Sequence, residues 1–136
     1  NSAVGYMALG ANTTGQLNNA FGYQALVTNT TGGNNTAVGH QALYANNADN
    51  NTAIGYAALS ANTTGTRNQA FGTSALQNTT TGNYNVAVGT YSLYSNTTAD
   101  SNTSMGDSSL YTNTTGANNV ASIEKGLFSS TSGFLK

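Results

Sequence analysis

A period of 17 residues runs through most of the chain and limits the folds it can adopt. One glycine recurs at spacings of 17, 17, 16, 17, 17 and 17 residues, and a leucine follows each of these glycines four residues later. Because a unit this short cannot bury an apolar face of its own, neighbouring units must stack. We therefore expect a seven-coil repeat array over 1–119. The degenerate eighth copy, 120–136, is expected to be a cap or a transition to another domain. The glycines are Gly5, Gly22, Gly39, Gly55, Gly72, Gly89 and Gly106.

Each unit contains strand and turn signals. The segment Thr36-Ala37-Val38 combines β-branched and small residues and predicts a short strand. Asn29-Thr30-Thr31-Gly32 predicts a turn, and too few residues lie between these segments for a helix. A second strand is expected over the Ala-Leu segment. The fold class predicted is therefore all-β, a parallel β-roll or β-solenoid of about eight coils, on the order of 38 Å long at the usual strand spacing.

Two columns of large apolar side chains are predicted to form the core. A column of asparagines just before each strand is expected to form hydrogen-bonded ladders. The glycine column requires a positive φ or the close approach of another backbone. One predicted core column is Val4, Phe21, Val38, Ile54, Phe71, Val88 and Met105, and the other is Leu9, Leu26, Leu43, Leu59, Leu76, Leu93 and Leu110.

Charge and composition exclude several classes of function. Only 5% of the residues are charged, against about 25% in ordinary domains, and the net charge is −1. No basic face is available for nucleic acid, and no run of about 18 apolar residues predicts insertion into a membrane. The apolar residues keep a fixed period, which is not typical of disordered polar chains.

The ionisable residues do not form a recognisable catalytic or metal-binding pattern. Asp49 and Asp100 fall in predicted turns, whereas Asp107 and Glu124 fall in one column of adjacent copies. Neither pair recurs, and His40 is the only histidine, so acid–base, triad and metal chemistry lack support. We expect a non-enzymatic protein without a cofactor or a metal.

Three further columns are candidates for interaction or modification. Tyr6, Tyr23 and Tyr56 are possible glycan contacts, although a structural ladder of stacked rings that includes His40 is the favoured interpretation. Stacked Thr-Thr pairs leave ice binding open as an alternative. Asn-Thr-Thr is an acceptor sequence for N-glycosylation, but the favoured interpretation is that it is simply a good turn. The possible N-glycosylation sites are Asn12, Asn29, Asn62, Asn78, Asn96 and Asn113.

The stretch Asn35-Thr36-Ala37-Val38-Gly39-His40-Gln41-Ala42-Leu43 and its copy starting at Asn51 resemble the head repeats of trimeric autotransporter adhesins. With the Asn-Thr-Thr-Gly turn that follows in most copies, the resemblance to repeat arrays of bacteriophage tail fibres is closer still. The resemblance implies a trimeric, left-handed β-roll in an extracellular attachment fibre on a cell or virion surface. The implied partners are further copies of the chain and a possible cell-surface glycan or host receptor. An end-to-end homopolymeric filament remains an alternative.

The energetics of a single coil also favour association. A coil such as 51–67 offers two large apolar side chains, Ile54 and Leu59. Burying both contributes about 3–6 kcal/mol. Ordering 17 residues costs on the order of 1 kcal/mol each in backbone entropy. We therefore expect three chains to pack side by side.

Overall fold

The computed structural model describes residues 1–122, which form eight short strands in a single parallel sheet. Each strand pairs with the strand one coil later, so that Ala20 lies opposite Ala37 and Ala37 opposite Ala53. The predicted all-β solenoid is confirmed, with about seven turns stacked along one axis. The strands are β1 (Ser2–Val4), β2 (Asn19–Phe21), β3 (Thr36–Val38), β4 (Thr52–Ile54), β5 (Gln69–Phe71), β6 (Val86–Val88), β7 (Thr103–Met105) and β8 (Val120–Ala121).

The start of the predicted eighth copy, β8, pairs with β7 and so extends the stack. The remainder of that copy, including Glu124 and Leu127, lies outside the described residues.

Each coil contains one strand, so the predicted second strand over the Ala-Leu segment is wrong. In the first coil the Ala8 amide donates to the Gly5 carbonyl at 3.3 Å, and the Gly10 amide donates to the Met7 carbonyl at 3.1 Å. Met7 and Leu9 have φ angles of 56° and 52°. This left-handed conformation at every second residue makes the chain turn continuously. The segment still bonds between coils, since the Leu9 amide donates to the Ala25 carbonyl at 3.0 Å.

Alanine and leucine fill the apolar half of the interior. The leucine column is confirmed as core: Leu26, Leu43, Leu59, Leu76, Leu93 and Leu110 are fully buried, and Leu9 is partly buried. The middle residue of each three-residue strand, such as Ala37, points inward beside it. Because strand side chains alternate, the residues on either side of that alanine point outward. The interior beside the strand is only wide enough for alanine or serine.

The other predicted core column is therefore wrong for the single chain. Its members follow the inward alanine or serine and face outward, with exposed fractions from 36% at Val38 to 63% at Val4, apart from the more buried Phe71. We call this set the outer apolar column. It consists of Val4, Phe21, Val38, Ile54, Phe71, Val88 and Met105.

Asparagine fills the polar half of the interior. The predicted ladder just before the strands is confirmed: the Oδ1 of Asn18 accepts from the Asn35 amide at 3.0 Å, and the Oδ1 of Asn35 accepts from the Asn51 amide at 2.9 Å. The Nδ2 of Asn18 donates to the Gly32 carbonyl of its own coil at 2.8 Å. One side chain thus closes its own coil and ties it to the next. The buried members of this strand-side ladder are Asn18, Asn35, Asn51, Asn68, Asn85, Asn102 and Asn119.

A second ladder, which the sequence analysis did not identify, starts each Asn-Thr-Thr turn. The Nδ2 of Asn29 donates to the Asn12 Oδ1 at 3.0 Å and to the Gly32 carbonyl at 2.9 Å. The Nδ2 of Asn62 donates to the Asn46 Oδ1 at 2.7 Å. These amides hold the turn against the interior. This turn-side ladder comprises Asn12, Asn29, Asn46, Asn62, Asn96 and Asn113, with Thr79 in the position between the fourth and fifth.

The glycine column satisfies both predicted requirements. Gly22 has a φ of +140°, and a Cβ placed on it would lie 2.4 Å from the Gly39 carbonyl oxygen. The close approach is made by the next coil of the same chain. Any side chain here would push two coils apart.

The third coil, 35–50, is one residue short, and the loss falls in its turn. In intact turns one backbone carbonyl accepts from the preceding coil, as when Thr30 accepts from the amides of Thr13 and Thr14 at 2.9 and 3.1 Å. Opposite the short turn, the amides of Thr30 and Thr31 donate instead to the side-chain Oδ1 of Asn47, both at 2.9 Å. The Asn47 side chain therefore replaces the missing peptide unit, and the strands keep their register.

Candidate interaction surfaces

The outer apolar column forms a ridge along one side of the solenoid. Its residues pair in parallel register, as Val38 does with Ile54 and Ile54 with Phe71. Seven such residues at the spacing of neighbouring strands extend over about 30 Å. The outward residue two positions earlier in each strand is polar in most coils, for example Thr36 and Thr52. A continuous apolar ridge of this length is typical of surfaces that another molecule covers.

The tyrosines predicted as glycan contacts form a ladder of stacked rings. Ring centroids lie 5.4 Å apart for Tyr6 and Tyr23, 5.0 Å for Tyr23 and His40, and 5.0 Å for His40 and Tyr56, each with an interplanar angle of 14°. Both faces of Tyr23 and of His40 are therefore covered by neighbouring rings. A sugar needs an open ring face, so the inner members offer only ring edges. Glycan contact by this column stays a prediction.

The Thr-Thr pairs lie on a turn, and part of their hydrogen-bonding capacity is used within the chain. The Thr13 hydroxyl donates to the Thr30 carbonyl at 2.9 Å, and the Thr63 hydroxyl donates to the Thr80 carbonyl at 3.0 Å. Asn47 interrupts this column in the third coil. A regular hydroxyl lattice on a flat strand face, which an ice-binding surface requires, is not what these turns present.

Four of the possible N-glycosylation sites belong to the turn-side ladder and are fully buried. The Nδ2 of Asn29 and that of Asn62 each donate to a carbonyl of their own turn, at 2.9 and 2.8 Å. Because the folded coil encloses these amides, their prediction as glycosylation sites is wrong for the folded chain, and they are structural residues. The four are Asn29, Asn62, Asn96 and Asn113. Asn12 and Asn78 are partly exposed.

The carboxylates are dispersed. Asp49 accepts from the Gly33 amide at 2.7 Å, and Asp100 accepts from the Asn83 amide at 2.6 Å, so both fasten turns. Asp107 is exposed and accepts from the Ser108 hydroxyl at 3.0 Å. Within residues 1–122 no group of acidic residues, histidine or cysteine could hold a metal ion, and the surface has no pocket.

A compact aromatic cluster near the seventh coil was missed from the sequence. Tyr94 and Tyr111 stack with centroids 5.1 Å apart and planes within 7°. Tyr91 meets both rings edge-on, at 5.6 and 6.2 Å. The 17-residue spacing of Tyr94 and Tyr111 was the available signal, because it places them in one column. Tyr91 lies in a different column and could be added only once the turn geometry was known.

The chain matches no protein-family model, and it has no significant match among curated proteins or solved structures. The described part of the chain contains no helix with the length and apolar character needed to cross a membrane.

Proposed function

We propose that the chain is a non-enzymatic, rigid segment of an extracellular attachment fibre, in which three copies pack along their outer apolar columns. The observation that carries this proposal is the ridge itself. Side chains such as Val38 and Ile54 are 36% and 41% exposed, in register and on one side of the rod. Covering them with the same column of two other chains removes apolar surface from water over the whole length, at about 25 cal/mol per Å².

The hydrogen-bonded interior supports the role of a rod. Each coil bonds to the next through the strand, the strand-side asparagine ladder and the turns, and most coils also through the turn-side ladder, so the solenoid resists bending along its length. The scarcity of charge supports lateral packing, because an interface between chains cannot hold unpaired ions without a large desolvation cost. The resemblance of the repeats to adhesin heads and tail-fibre arrays points to the same use on a cell or virion surface.

The test is the mass of the folded protein in solution. Sedimentation equilibrium should give three times the chain mass of 13.8 kDa. Replacing Val38 and Ile54 together by lysine should abolish this species, whereas lysines at Thr14 and Thr64, which are exposed on the turn side, should leave it intact. A stable β-rich species of 13.8 kDa for the unsubstituted chain would overturn the proposal. Masses that grow without limit as concentration rises would favour the end-to-end filament instead.

A further inference from the structure

We propose that the corner formed by Tyr91, Tyr94 and Tyr111 is a saccharide-binding site that takes a neutral pyranose against the face of Tyr91. The inference deepens the attachment function and rests on it, since it assigns the receptor chemistry and a place on the rod where contact occurs. Its basis is an exposed ring on which no other ring is stacked and an exposed carboxylate one coil along, a combination that the other aromatic columns do not provide in residues 1–122.

Tyr91 has at least one ring face that no other aromatic ring covers. Tyr94 and Tyr111 lie in nearly the same direction from it, since their centroids are 5.1 Å apart and both are within 6.2 Å of the Tyr91 centroid. Their contact with Tyr91 is edge-to-face, which uses one face of a ring at most. The neighbours of Tyr91 in its own column are Ser74 and Ser108, which are too small to cover a ring. Tyr91 is 41% exposed.

The stacked pair holds Tyr91 in place. Tyr94 is one turn after Tyr91, and its amide donates to the Tyr91 carbonyl at 3.3 Å. Tyr111 lies in the next coil, where its carbonyl accepts from the Ser95 amide at 3.0 Å. Perpendicular contacts with both rings restrict rotation of the Tyr91 side chain. A ring fixed in this way loses little conformational freedom when a ligand binds.

Polar groups that suit sugar hydroxyls lie on the coil that stacks on the Tyr91 coil. The Ser108 amide donates to the Thr90 carbonyl at 2.8 Å, which places Asp107 and Ser108 one coil along from Thr90 and Tyr91. The Ser108 hydroxyl donates to the Oδ2 of Asp107, and the Asp107 side chain is exposed. A carboxylate is a strong acceptor for hydroxyl groups. A pyranose matches both features, because one face of it is made of C–H groups and its rim carries hydroxyls.

The chemistry of the corner favours a neutral sugar over other ligands. No lysine, arginine or histidine lies among the residues from 85 to 118 that build it, so sialic acid or a sulfated sugar would meet the Asp107 carboxylate without a compensating cation. The corner is separated from the outer apolar column by the glycine of each coil, here Gly89 and Gly106. Packing of three chains along that column leaves the site available in three copies, which raises avidity for a multivalent surface.

The test uses the assembled chain of 136 residues on a printed array that carries neutral and sialylated oligosaccharides. Each bound neutral glycan is then titrated by saturation-transfer NMR. Replacing Tyr91 by alanine should weaken binding at least tenfold, Tyr91→Phe should retain it within about threefold, and Asp107→Asn should weaken it severalfold. Tyr84→Ala is the matched control: Tyr84 is 52% exposed, but the Arg67 guanidinium already lies 5.3 Å from its ring centroid. It should change binding less than twofold.

Two outcomes would overturn the inference. One is an array without any bound neutral glycan; the other is binding that survives Tyr91→Ala or responds equally to Tyr84→Ala. Circular dichroism checks that each variant folds, which is expected because Tyr91 is on the surface. Sedimentation of the same samples keeps this result separate from the trimer proposal. Tyr91-dependent binding by a 13.8 kDa species would contradict the trimer alone.

Discussion

Thr79 occupies the position that follows Asn62 in the turn-side ladder, and it leaves the Oδ1 of Asn62 buried without a hydrogen-bond partner. In the coils that carry asparagine here, the incoming Nδ2 donates to the preceding Oδ1, as Asn62 does to Asn46 at 2.7 Å. The Thr79 hydroxyl donates instead to the Asn96 carbonyl at 3.1 Å. The turn-side ladder is thus interrupted in the fifth coil.

Thr79→Asn should therefore stabilise the protein. The new Nδ2 can reach the orphaned Oδ1 of Asn62, and satisfying a buried acceptor should raise the free energy of unfolding by about 1–2 kcal/mol. The measurement is the urea midpoint at one fixed protein concentration, because the stability of any protein that assembles depends on its concentration. Thr81→Asn, on the exposed side of the same turn, is the control and should stay within about 0.5 kcal/mol of the parent. Equal effects of the two substitutions would argue against the ladder explanation.

The strand-side ladder can be tested with adjacent asparagines. Asn18→Ala removes a fully buried amide that bonds Gly32 and the Asn35 backbone, and should cost about 2–4 kcal/mol. Asn19→Ala makes the same chemical change on the exposed face and should cost less than about 0.5 kcal/mol. The measurement is the free energy of unfolding of each variant, from urea denaturation curves recorded under the same conditions. Similar losses for both would mean that the amide bonds inside contribute little.

Glycine is expected to be irreplaceable in the glycine column. A Cβ at Gly55 would lie 2.4 Å from the Gly72 carbonyl oxygen, on a backbone with a φ of +143°. Gly55→Ala should cost more than about 3 kcal/mol or prevent folding, because strain and coil separation add. Gly10→Ala is the comparison, since a Cβ there meets the Met7 carbonyl at 3.1 Å and has ordinary contacts of 3.7 Å otherwise, and other coils carry Val27 or Tyr44 at this position. Thermal melting should separate the two variants clearly.

Stacking through His40 should contribute modestly. His40→Ala interrupts the ring ladder between Tyr23 and Tyr56 and should cost about 0.5–1.5 kcal/mol per lost aromatic contact, with partial exposure keeping the value low. His40→Tyr extends the tyrosine stack and should restore or slightly raise the midpoint. Thr73→Ala, in the same column beyond the rings, serves as the control. A histidine variant indistinguishable from that control would remove the ladder as a source of stability.

The sequence predicted the stacking unit but not which side of each strand faces inward. Period, leucine core and strand-side asparagines follow from spacing alone, because each recurs with the repeat. Ile54 and Leu59 are similar in size and recur with equal regularity, yet Leu59 is buried and Ile54 is 41% exposed. Size favours Ile54 as core, whereas the narrow interior accepts only Ala53. A single sequence does not reveal that width, or that the larger side chain of each pair faces outward.

The turns set a second limit on prediction. Leu59 adopts a φ of 53°, a region that its side chain normally disfavours, and no local pattern announces it. The contacts between coils impose this conformation on the leucine at the same place in every described coil. The Tyr91 corner depends on the same turn geometry and was invisible for the same reason.

The short third coil shows how such an array can change length without losing order. A missing residue in a periodic stack resembles a dislocation in a crystal, which would normally shift every layer beyond it. Here the Oδ1 of Asn47 accepts the two amides that a main-chain carbonyl would have taken, so the defect ends within one layer. The length of a single coil can therefore change by one residue where an asparagine side chain takes the place of the missing carbonyl.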